Sequence, residues 1–170
     1  MDAYDELMAR LKDIDLISQV GGLVGWDQEV MMPPKAAGLR AEQLSWISRT
    51  GHEMITDSRI GELLNDLESR DDLDEIQAGN LRLARESYDK ATKLPTEFVG
   101  ELAKHQSKSQ VSWTEARAAD DFSIFRDDLA KMIDMCRQKA DYLGYENLRY
   151  DALLDLYESG LTVARVDPLF

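Results

Sequence analysis

A chain of 170 residues with 44% hydrophobic and 31% charged residues has the length and composition of a folded domain, which excludes a disordered chain. Its 20 Lys and Arg against 33 Asp and Glu give a net charge of -13, which argues against binding to nucleic acid or anionic membrane. The single Cys136 excludes an internal disulfide. The acidic N-terminus is unlike a signal peptide, and no apolar run is long enough for a membrane span, so we expect a cytoplasmic protein.

The first helix is predicted to run from Asp2 to Val24, because apolar residues recur there at steps of three and four. One stripe along it consists of Tyr4, Leu7, Leu11, Ile14, Ile17 and Val24. Glycines near its end lower helix propensity and permit a left-handed cap, so we expect the helix to stop among them. These glycines are Gly21, Gly22 and Gly25.

Residues 25–34 are predicted to form a loop, because two consecutive prolines, Pro33 and Pro34, disfavour helix. In this loop we expect Trp26 to be packed, since an indole favours burial. We also expect the Asp27 carboxylate to accept hydrogen bonds from backbone amides, because a carboxylate beside a glycine turn suits such a cap.

The middle of the chain is predicted to contain three more helices. One covers Lys35–Ile55, and a short helix capped by Asp57 extends to Leu67. The acidic stretch Asp66–Glu75 is interpreted as a solvated turn that leads into a long helix, whose N-terminus favours carboxylates. That helix is predicted to break at Lys93–Thr96, where a proline interrupts it and the threonine can cap the next helix.

Two long helices follow. The first begins at Thr96, and its polar middle, Lys104–Gln110, is expected to face a cleft or solvent. Its apolar residues are Phe98, Leu102, Trp113 and Ala116. The second has the most regular apolar spacing and ends at Gly144, a residue typical of C-caps. Its apolar stripe consists of Phe122, Phe125, Leu129, Met132, Cys136, Ala140 and Leu143. A final short helix, Val163–Phe170, is predicted after a cap at Thr162.

Helical spacing throughout the chain, without any period-two alternation, predicts an all-α fold in the form of an antiparallel bundle of long helices. Helices of about twenty residues are too long for tetratricopeptide units, which excludes that repeat architecture. Residues 1–170 are predicted to form a single helical domain.

The segment His52-Glu53-Met54-Ile55-Thr56 is similar to a metal-binding motif, because zinc peptidases place two histidines four residues apart around a general-base glutamate. Thr56 occupies the position of the second histidine, and a hydroxyl is a poor zinc ligand. The other histidine, His105, is followed four residues later by Ser109. The sequence therefore predicts no catalytic residue, no metal ligand and no cofactor in this chain.

Two other patterns are interpreted as structural. Gly21–Gly25 is superficially similar to a phosphate-binding loop, but it follows a helix and lacks the lysine of a Walker motif, so we interpret it as a helix terminator. Cys136 lies on an apolar stripe, which favours a buried inert thiol over a nucleophile. No Gly-x-Ser-x-Gly nucleophile elbow occurs in the sequence.

Five segments carry a resemblance to a known family. They are Gly25–Glu29 with Met32 and Pro33, Arg40–Leu44, Ala91–Pro95, Trp113–Arg117 and Tyr150–Glu158. In sequence and spacing they resemble the carboxypeptidase Taq family, and the resemblance spans nearly the whole chain. Val30 departs from it, since a threonine is expected at that position.

The resemblance implies an all-helical, usually homodimeric enzyme that removes residues one at a time from peptide C-termini with a divalent metal, usually zinc or cobalt. It implies that the metal ligands lie on a His-Glu-x-x-His helix and on a later glutamate, beyond the region that this chain resembles. The chain then corresponds to the N-terminal helices that flank and partly cover the substrate cleft. Candidate cleft-rim positions are Trp26, Asp27, Gln28, Met32, Pro33 and Arg40.

Two functions are compatible with these observations. The first is an N-terminal segment of a metal-dependent carboxypeptidase, inactive alone, with peptide substrate bound only by the full-length enzyme. The alternative is a stand-alone helical interaction or dimerisation module derived from that family. The native reading frame discriminates between them: a downstream His-Glu-x-x-His favours the enzyme, and a stop codon after Phe170 favours the module.

We expect a homodimer, because helix faces that lack their packing partners expose apolar surface, and two-fold dimers are the most common assemblies. One candidate surface is the C-terminal end, and the other is one side of the helix that begins at Thr96. The residues of the first are Val163, Val166, Leu169 and Phe170, and those of the second are Phe98, Leu102 and Trp113.

Overall fold

Residues 2–170 are described by a computed structural model, and within this range the chain is largely α-helical and contains no β-strand. The helices are α1 (Ala3–Val30), α2 (Ala37–Ile55), α3 (Ser58–Glu68), α4 (Glu75–Thr92), α5 (Thr96–Ala119), α6 (Ser123–Leu143), α7 (Asp151–Leu154) and α8 (Val163–Val166). Single turns of 3₁₀ helix occupy Pro34–Ala36 and Asp167–Leu169. Across residues 2–170, none of the helices has the length and apolar character needed to cross a membrane. The predicted all-α fold is confirmed.

The chain divides into two compact units, Met1–Ser107 and Lys108–Phe170. In the first unit, α1 packs against α2 and α3, and α3 packs against α4. In the second unit, α6 packs against α7. The prediction of a single domain over residues 1–170 stays a prediction.

Helix α1 continues through the predicted stop and ends at Val30. The glycines within it keep negative φ angles, and Gly21 lies so close to α2 that a Cβ would come within 3.2 Å of Cγ2 of Ile47. The packing of α2 outweighs the cost of about 1 kcal/mol that a glycine adds to a helix interior. The predicted loop over residues 25–34 is therefore wrong in its first six positions, and only 31–33 lie outside regular helix.

The core of the first unit is built around α3, whose apolar residues recur at steps of three and four and so share one face. The largest fully buried side chains are Leu7 of α1 and Ile60, Leu63, Leu64 and Leu67 of α3. Removing each of these side chains from water contributes about 1.5–3 kcal/mol. This cluster fixes the position of α3 against α1 and α4.

Carboxylate caps begin α3 and α4. The Asp57 carboxylate accepts a hydrogen bond of 2.7 Å from the backbone amide of Arg59, which confirms the predicted cap. Asp74 and Gln77 form a reciprocal capping box, with each side chain accepting from the backbone amide of the other at 2.8 and 3.0 Å. The acidic stretch between the two helices therefore includes a carboxylate that starts α4.

The second unit agrees with the prediction at one helix end and departs from it at another. Gly144 follows α6 with a φ of 81°, a conformation that favours glycine, which confirms the predicted C-cap. Thr162 precedes α8, but its side chain makes no capping hydrogen bond. The Asp151 carboxylate instead accepts from the Val163 amide at 2.7 Å. The predicted final helix is divided into α8 and a 3₁₀ turn, because a proline in its second turn lacks an amide donor.

The apolar stripe predicted for α6 is buried mainly at its C-terminal end. Ala140 and Leu143 are buried, and Cys136 is half-buried. Phe122 is exposed because it precedes the first turn of the helix. Met135, which the predicted stripe omits, is also buried. The predicted stripe therefore matches the buried residues only at Ala140 and Leu143.

One expectation for α5 is wrong, and another holds only in part. Phe98 is only 7% exposed, so it belongs to the interior and cannot line a docking surface. In the polar segment expected to face a cleft or solvent, Gln106 and Lys108 are exposed, but His105, Ser107 and Ser109 are buried. Buried polar groups of this kind need hydrogen-bond partners, and the hydroxyl of Ser107 finds one in Gln28.

Gly61 of α3 allows the close packing of α3 and α4 to be tested. A Cβ at this position would lie 2.5 Å from Oη and 2.9 Å from Cζ of Tyr88. We expect Gly61→Ala to destabilise the protein by about 1–3 kcal/mol in urea denaturation, because the tyrosine ring must move. The matched control is Gly79→Ala in α4, where a Cβ would meet no atom within 4 Å. It should stabilise the protein by about 1 kcal/mol, and stabilisation by both variants would contradict the packing.

Helices α1 and α3 are also joined by an ion pair. Nε and Nη2 of Arg59 donate to the two carboxylate oxygens of Glu6 at 2.9 and 2.8 Å. This bidentate hydrogen bond lowers the pKa of Glu6 from 4.5 to about 2, and Arg10 makes a smaller contribution in the same direction. Because the folded pKa is depressed, the stabilisation is present above pH 4.5 and is lost as the pH falls through about 2.

We expect Glu6→Gln to be less stable than the wild type at neutral pH, and this deficit to shrink between pH 4.5 and about 2, where Glu6 itself becomes protonated. Urea denaturation midpoints across this pH range measure the effect. The control is Glu29→Gln, which changes an exposed carboxylate of α1. The difference between its urea denaturation midpoint and that of the wild type should not shrink over the same pH range. A Glu6→Gln deficit that stays constant down to the lowest pH would argue against the ion pair.

Candidate functional site

The six candidate cleft-rim positions lie where α1 ends and α2 begins. Trp26, Asp27 and Gln28 are in the last turns of α1, Met32 and Pro33 are in the connection, and Arg40 is in the first turn of α2. The structure brings two of them, Asp27 and Arg40, into direct contact. It directs Gln28 to α5 and leaves Trp26 and Pro33 exposed.

Arg40 holds the corner between α1 and α2. Its Nη2 donates to the Asp27 carboxylate, its Nη1 donates to the carbonyl of Val24 at 2.7 Å, and its Nε donates to Gln43 at 3.0 Å. The Arg40 side chain is only 13% exposed, so these bonds are largely screened from water. Asp27 was expected to accept from backbone amides, and this is wrong: in a helix those amides are already used, so the carboxylate accepts from the guanidinium.

Gln28 joins α1 to α5 through a reciprocal pair. Its amide Nε2 donates to the carbonyl of Ser107 at 3.3 Å, and the Ser107 hydroxyl donates to its Oε1 at 2.5 Å. Ser107 is buried, so losing this partner would leave a buried hydroxyl unsatisfied. Gln28 therefore acts as a structural tie between the two helices.

Trp26 is 59% exposed, so the expectation of a packed indole is wrong. A loop could have folded the ring inward, but a continuous α1 places it on a face that points to solvent. Val30 and Met31, which follow it, are also exposed. The end of α1 therefore presents large apolar side chains that nothing in residues 2–170 covers.

Helices α1 and α2 leave an open groove between them, here named the hairpin groove, with a volume of about 910 Å³. Its apolar lining includes Leu16, Val20 and Leu23 of α1 and Leu39, Trp46 and Ile47 of α2. The charged groups at its border are paired, Arg40 with Asp27 and Glu42 with Lys104. The groove is an apolar and electrically balanced surface, suited to contact with another apolar surface.

The hairpin groove was missed by the sequence analysis, which assigned one apolar stripe to α1. Leu16, Val20 and Leu23 form a second stripe at steps of four and three, on another side of the same helix. Val30 continues this spacing one heptad later. This second stripe was the available signal, although single exposed apolar residues are ordinary on protein surfaces.

The segment around His52 does not fit a metal ion. The ring of His52 is buried, with Nδ1 at 2.9 Å from the Thr96 hydroxyl and Nε2 at 3.0 Å from the carbonyl of Ala91. The Thr56 hydroxyl donates to the carbonyl of His52 at 2.7 Å. Among residues 2–170 no group of three or more His, Cys, Asp or Glu side chains is placed to bind a metal. His52 instead joins α2 to the junction of α4 and α5.

Comparisons with known proteins agree over nearly the whole chain. A family model described as carboxypeptidase Taq (M32) metallopeptidase matches residues 6–170. Thermostable carboxypeptidase 1 of Pyrococcus furiosus is 34% identical over 169 residues, which cover 99% of this chain and 34% of that protein. Thermostable carboxypeptidase 1 of Thermus thermophilus is 34% identical over 182 residues, which cover 99% of this chain and 35% of that protein. The chain spans about a third of the length of these curated relatives.

A solved structure supports the same relationship. The crystal structure of BsuCP is similar to this chain with a TM-score of 0.95 and 33% sequence identity. The similarity covers 99% of this chain and 34% of the BsuCP chain. The chain therefore resembles about a third of a larger protein.

Arg40→Lys tests whether the corner depends on the forked guanidinium. Lysine keeps the charge but cannot donate to three acceptors in this geometry, so we expect a loss of about 1–2 kcal/mol of stability. Hydrogen–deuterium exchange should show faster exchange of the amides of residues 24–34, which measures loosening of the corner. The control is Arg126→Lys, whose ion pair with Asp127 is exposed and should contribute little. Equal behaviour of the two variants would contradict the structural role of Arg40.

Proposed function

Because this chain belongs to the carboxypeptidase Taq (M32) metallopeptidase family, we propose that it is the N-terminal helical part of a metal-dependent carboxypeptidase and does not hydrolyse peptides alone. The observation that carries this proposal is the coverage: the chain matches over 99% of its own length but only 34% of the Pyrococcus furiosus relative. About two thirds of the relative's length therefore has no counterpart in these 170 residues. In the whole protein, the proposed activity is removal of C-terminal amino acids from peptides.

The histidines of the chain support the absence of catalysis by this part. A catalytic zinc ion is typically held by three protein ligands and keeps one open coordination position. His52 has both ring nitrogens in hydrogen bonds, and His105 is buried with Ser109 four residues later. These residues do not fit a zinc or cobalt ion, so we propose that the ligands come from other parts of the full-length protein.

The corner between α1 and α2 supports a scaffolding role for this part. Asp27, Gln28 and Arg40 make their contacts within the chain, to α2, α5 and α1 respectively. Hydrogen bonds of this kind fix the positions of the helices relative to each other and need no role in peptide hydrolysis. Trp26 and Pro33 are the exposed candidate rim residues, and the indole of Trp26 offers the larger surface for contact with a substrate or another protein segment.

A second candidate function, the helical interaction module, is favoured by the hairpin groove, because contiguous exposed apolar surface marks interaction sites. In either role we propose a cytoplasmic location, since a lone thiol such as Cys136 is compatible with a reducing compartment. The two functions differ in whether the chain needs further segments for its activity.

We expect the purified 170-residue chain to hold well below one zinc or cobalt ion per molecule, and to release no amino acid from peptides with a free C-terminus. Inductively coupled plasma mass spectrometry after dialysis measures the metal, and chromatography of reaction mixtures with added zinc or cobalt measures release. The physical reason is the lack of a ligand set around either histidine.

Full-length thermostable carboxypeptidase 1 of Pyrococcus furiosus, assayed in parallel, is the positive control. His52→Gln is the control for adventitious binding, since glutamine can replace the two hydrogen bonds of the ring but not a metal ligand. One tightly held ion per chain, or amino-acid release that a chelator abolishes, would overturn the proposal.

A further inference from the structure

One half-buried arginine of α2 has no acidic partner. Six arginines in residues 2–170 are half-buried, and five of them form ion pairs with carboxylates of the chain. The sixth is Arg49, which forms neither an ion pair nor a hydrogen bond with any residue of this range. Its Nε is buried without an acceptor. Buried donors without a partner are rare in folded proteins and often mark a site where another group binds.

A second polar group without a partner lies one turn away. Ser45 precedes Arg49 by four residues, so the two side chains share one face of α2. Ser45 is only 7% exposed, and within residues 2–170 its hydroxyl has no hydrogen-bond partner. The same face of α2 therefore contains a guanidinium and a hydroxyl that both lack an acceptor.

Gly100 of α5 provides the room for both side chains. A Cβ at this position would lie 2.5 Å from Cγ and 2.6 Å from Cδ of Arg49, and 3.1 Å from Oγ of Ser45. The stem of Arg49 therefore lies directly on the backbone of α5, with the Ser45 hydroxyl beside it. Any residue larger than glycine would displace the arginine. These three residues are here named the Arg49 site.

Polar contacts on both sides hold α2 and α5 together around the Arg49 site. Lys104 forms an ion pair with Glu42 on one side. On the other side, Nδ1 of His52 lies 2.9 Å from the Thr96 hydroxyl. The helices cannot slide to give Arg49 another neighbour without breaking one of these contacts. The arginine is thus fixed at its stem, while its terminal nitrogens, unlike Nε, are not enclosed.

Carboxylates of the chain itself do not serve as the acceptor. Glu53 lies on the following turn of α2, whereas the side chain of Arg49 points to the preceding turn. Glu97 and Glu101 lie on either side of Gly100 in the sequence of α5. All three glutamates are exposed, and none of them forms an ion pair with Arg49. The acceptor that fits the Arg49 site therefore comes from outside residues 2–170.

The chemistry of the Arg49 site favours a carboxylate. A guanidinium presents a planar fork of donors that matches the two oxygens of a carboxylate, and a serine hydroxyl can donate to one of these oxygens. A doubly charged phosphate would meet more repulsion from a chain with a net charge of -13.

We propose that the Arg49 site binds a carboxylate of a peptide, with the guanidinium fork holding its two oxygens and the Ser45 hydroxyl donating to one of them. The carboxylate is either the C-terminus of the peptide or an acidic side chain within it, and the test distinguishes the two. The peptide as source rests on the proposed function, which brings peptides with a free C-terminus to the protein. The binding itself needs no metal and no hydrolysis.

NMR of the isotope-labelled 170-residue chain tests the proposal through the Nε–Hε signal of Arg49, which Arg49→Gln or Arg49→Lys identifies by its loss. Titration with acetyl-Gly-Gly-Phe should shift this signal saturably with a Kd of about 1–10 mM, and the same peptide with a C-terminal amide should not. Acetyl-Gly-Glu-Gly amide carries only a side-chain carboxylate and tests the second source. Inorganic phosphate should bind more weakly than the better of the two carboxylate peptides.

Two variants show whether the binding belongs to the Arg49 site. Ser45→Ala should weaken the binding at least about threefold while the Arg49 signal remains, because one donor is removed. Arg82→Gln is the matched control, since Arg82 is exposed and also has no ion pair within residues 2–170. Its affinity for the peptide should equal that of the wild type. Circular dichroism checks that both variants are folded.

No saturable shift with either carboxylate peptide up to about 50 mM would overturn the proposal. So would tighter binding of phosphate, equal binding of the amide peptide, or weaker binding by Arg82→Gln. An Arg49 signal that moves in Glu53→Gln or Glu101→Gln but with no peptide would reveal an internal ion pair and refute the proposal as well. Because hydrolysis plays no part in this measurement, its failure leaves the proposed function standing, and failure of the proposed function leaves the measured binding unchanged.

Discussion

The packing of α2 against α1 determines where the candidate site residues lie. A Cβ at Gly21 would lie 3.2 Å from Cγ2 of Ile47, which is a tight contact, and a Cβ at Gly51 would lie 3.5 Å from Cγ2 of Ile17, which is an ordinary one. Each glycine costs about 1 kcal/mol in a helix, whereas burying a large aliphatic side chain contributes about 1.5–3 kcal/mol. The hairpin therefore keeps α1 helical to Val30, which places the candidate rim residues of α1 on its last turns instead of in a loop.

The sequence was sufficient to predict the parts of the fold that depend on local chemistry. The predictions of a carboxylate cap at Asp57 and of a glycine end of α6 at Gly144 were correct, because each feature depends on a few neighbouring backbone groups. The end of α1, the exposure of Trp26 and the role of Asp151 at the start of α8 could not be predicted in the same way. Each of them depends on a residue or helix that is distant in sequence.

The candidate site shows the same division. Arg40 and Asp27 were both candidate rim residues, but the bond between them was not predicted, because it requires α1 to be helical at Asp27. Gln28 pairs with Ser107, 79 residues away, and no pattern within one segment reveals such a partner. The second apolar stripe of α1 was visible in the sequence, but its exposure depends on which side α2 covers.

Polar and apolar residues have different roles where α1 and α2 meet. The polar candidates, Asp27, Gln28 and Arg40, have partners within the chain and so stabilise its own structure. The side chains left exposed beside them include the apolar Trp26 and Leu23 and the carboxylate of Glu29. Any contact made through Trp26 and Leu23 rests on burial of apolar surface, which is non-directional and depends on shape. A rigid corner supplies that shape, so the internal hydrogen bonds of the polar residues are a condition for contact by the apolar ones.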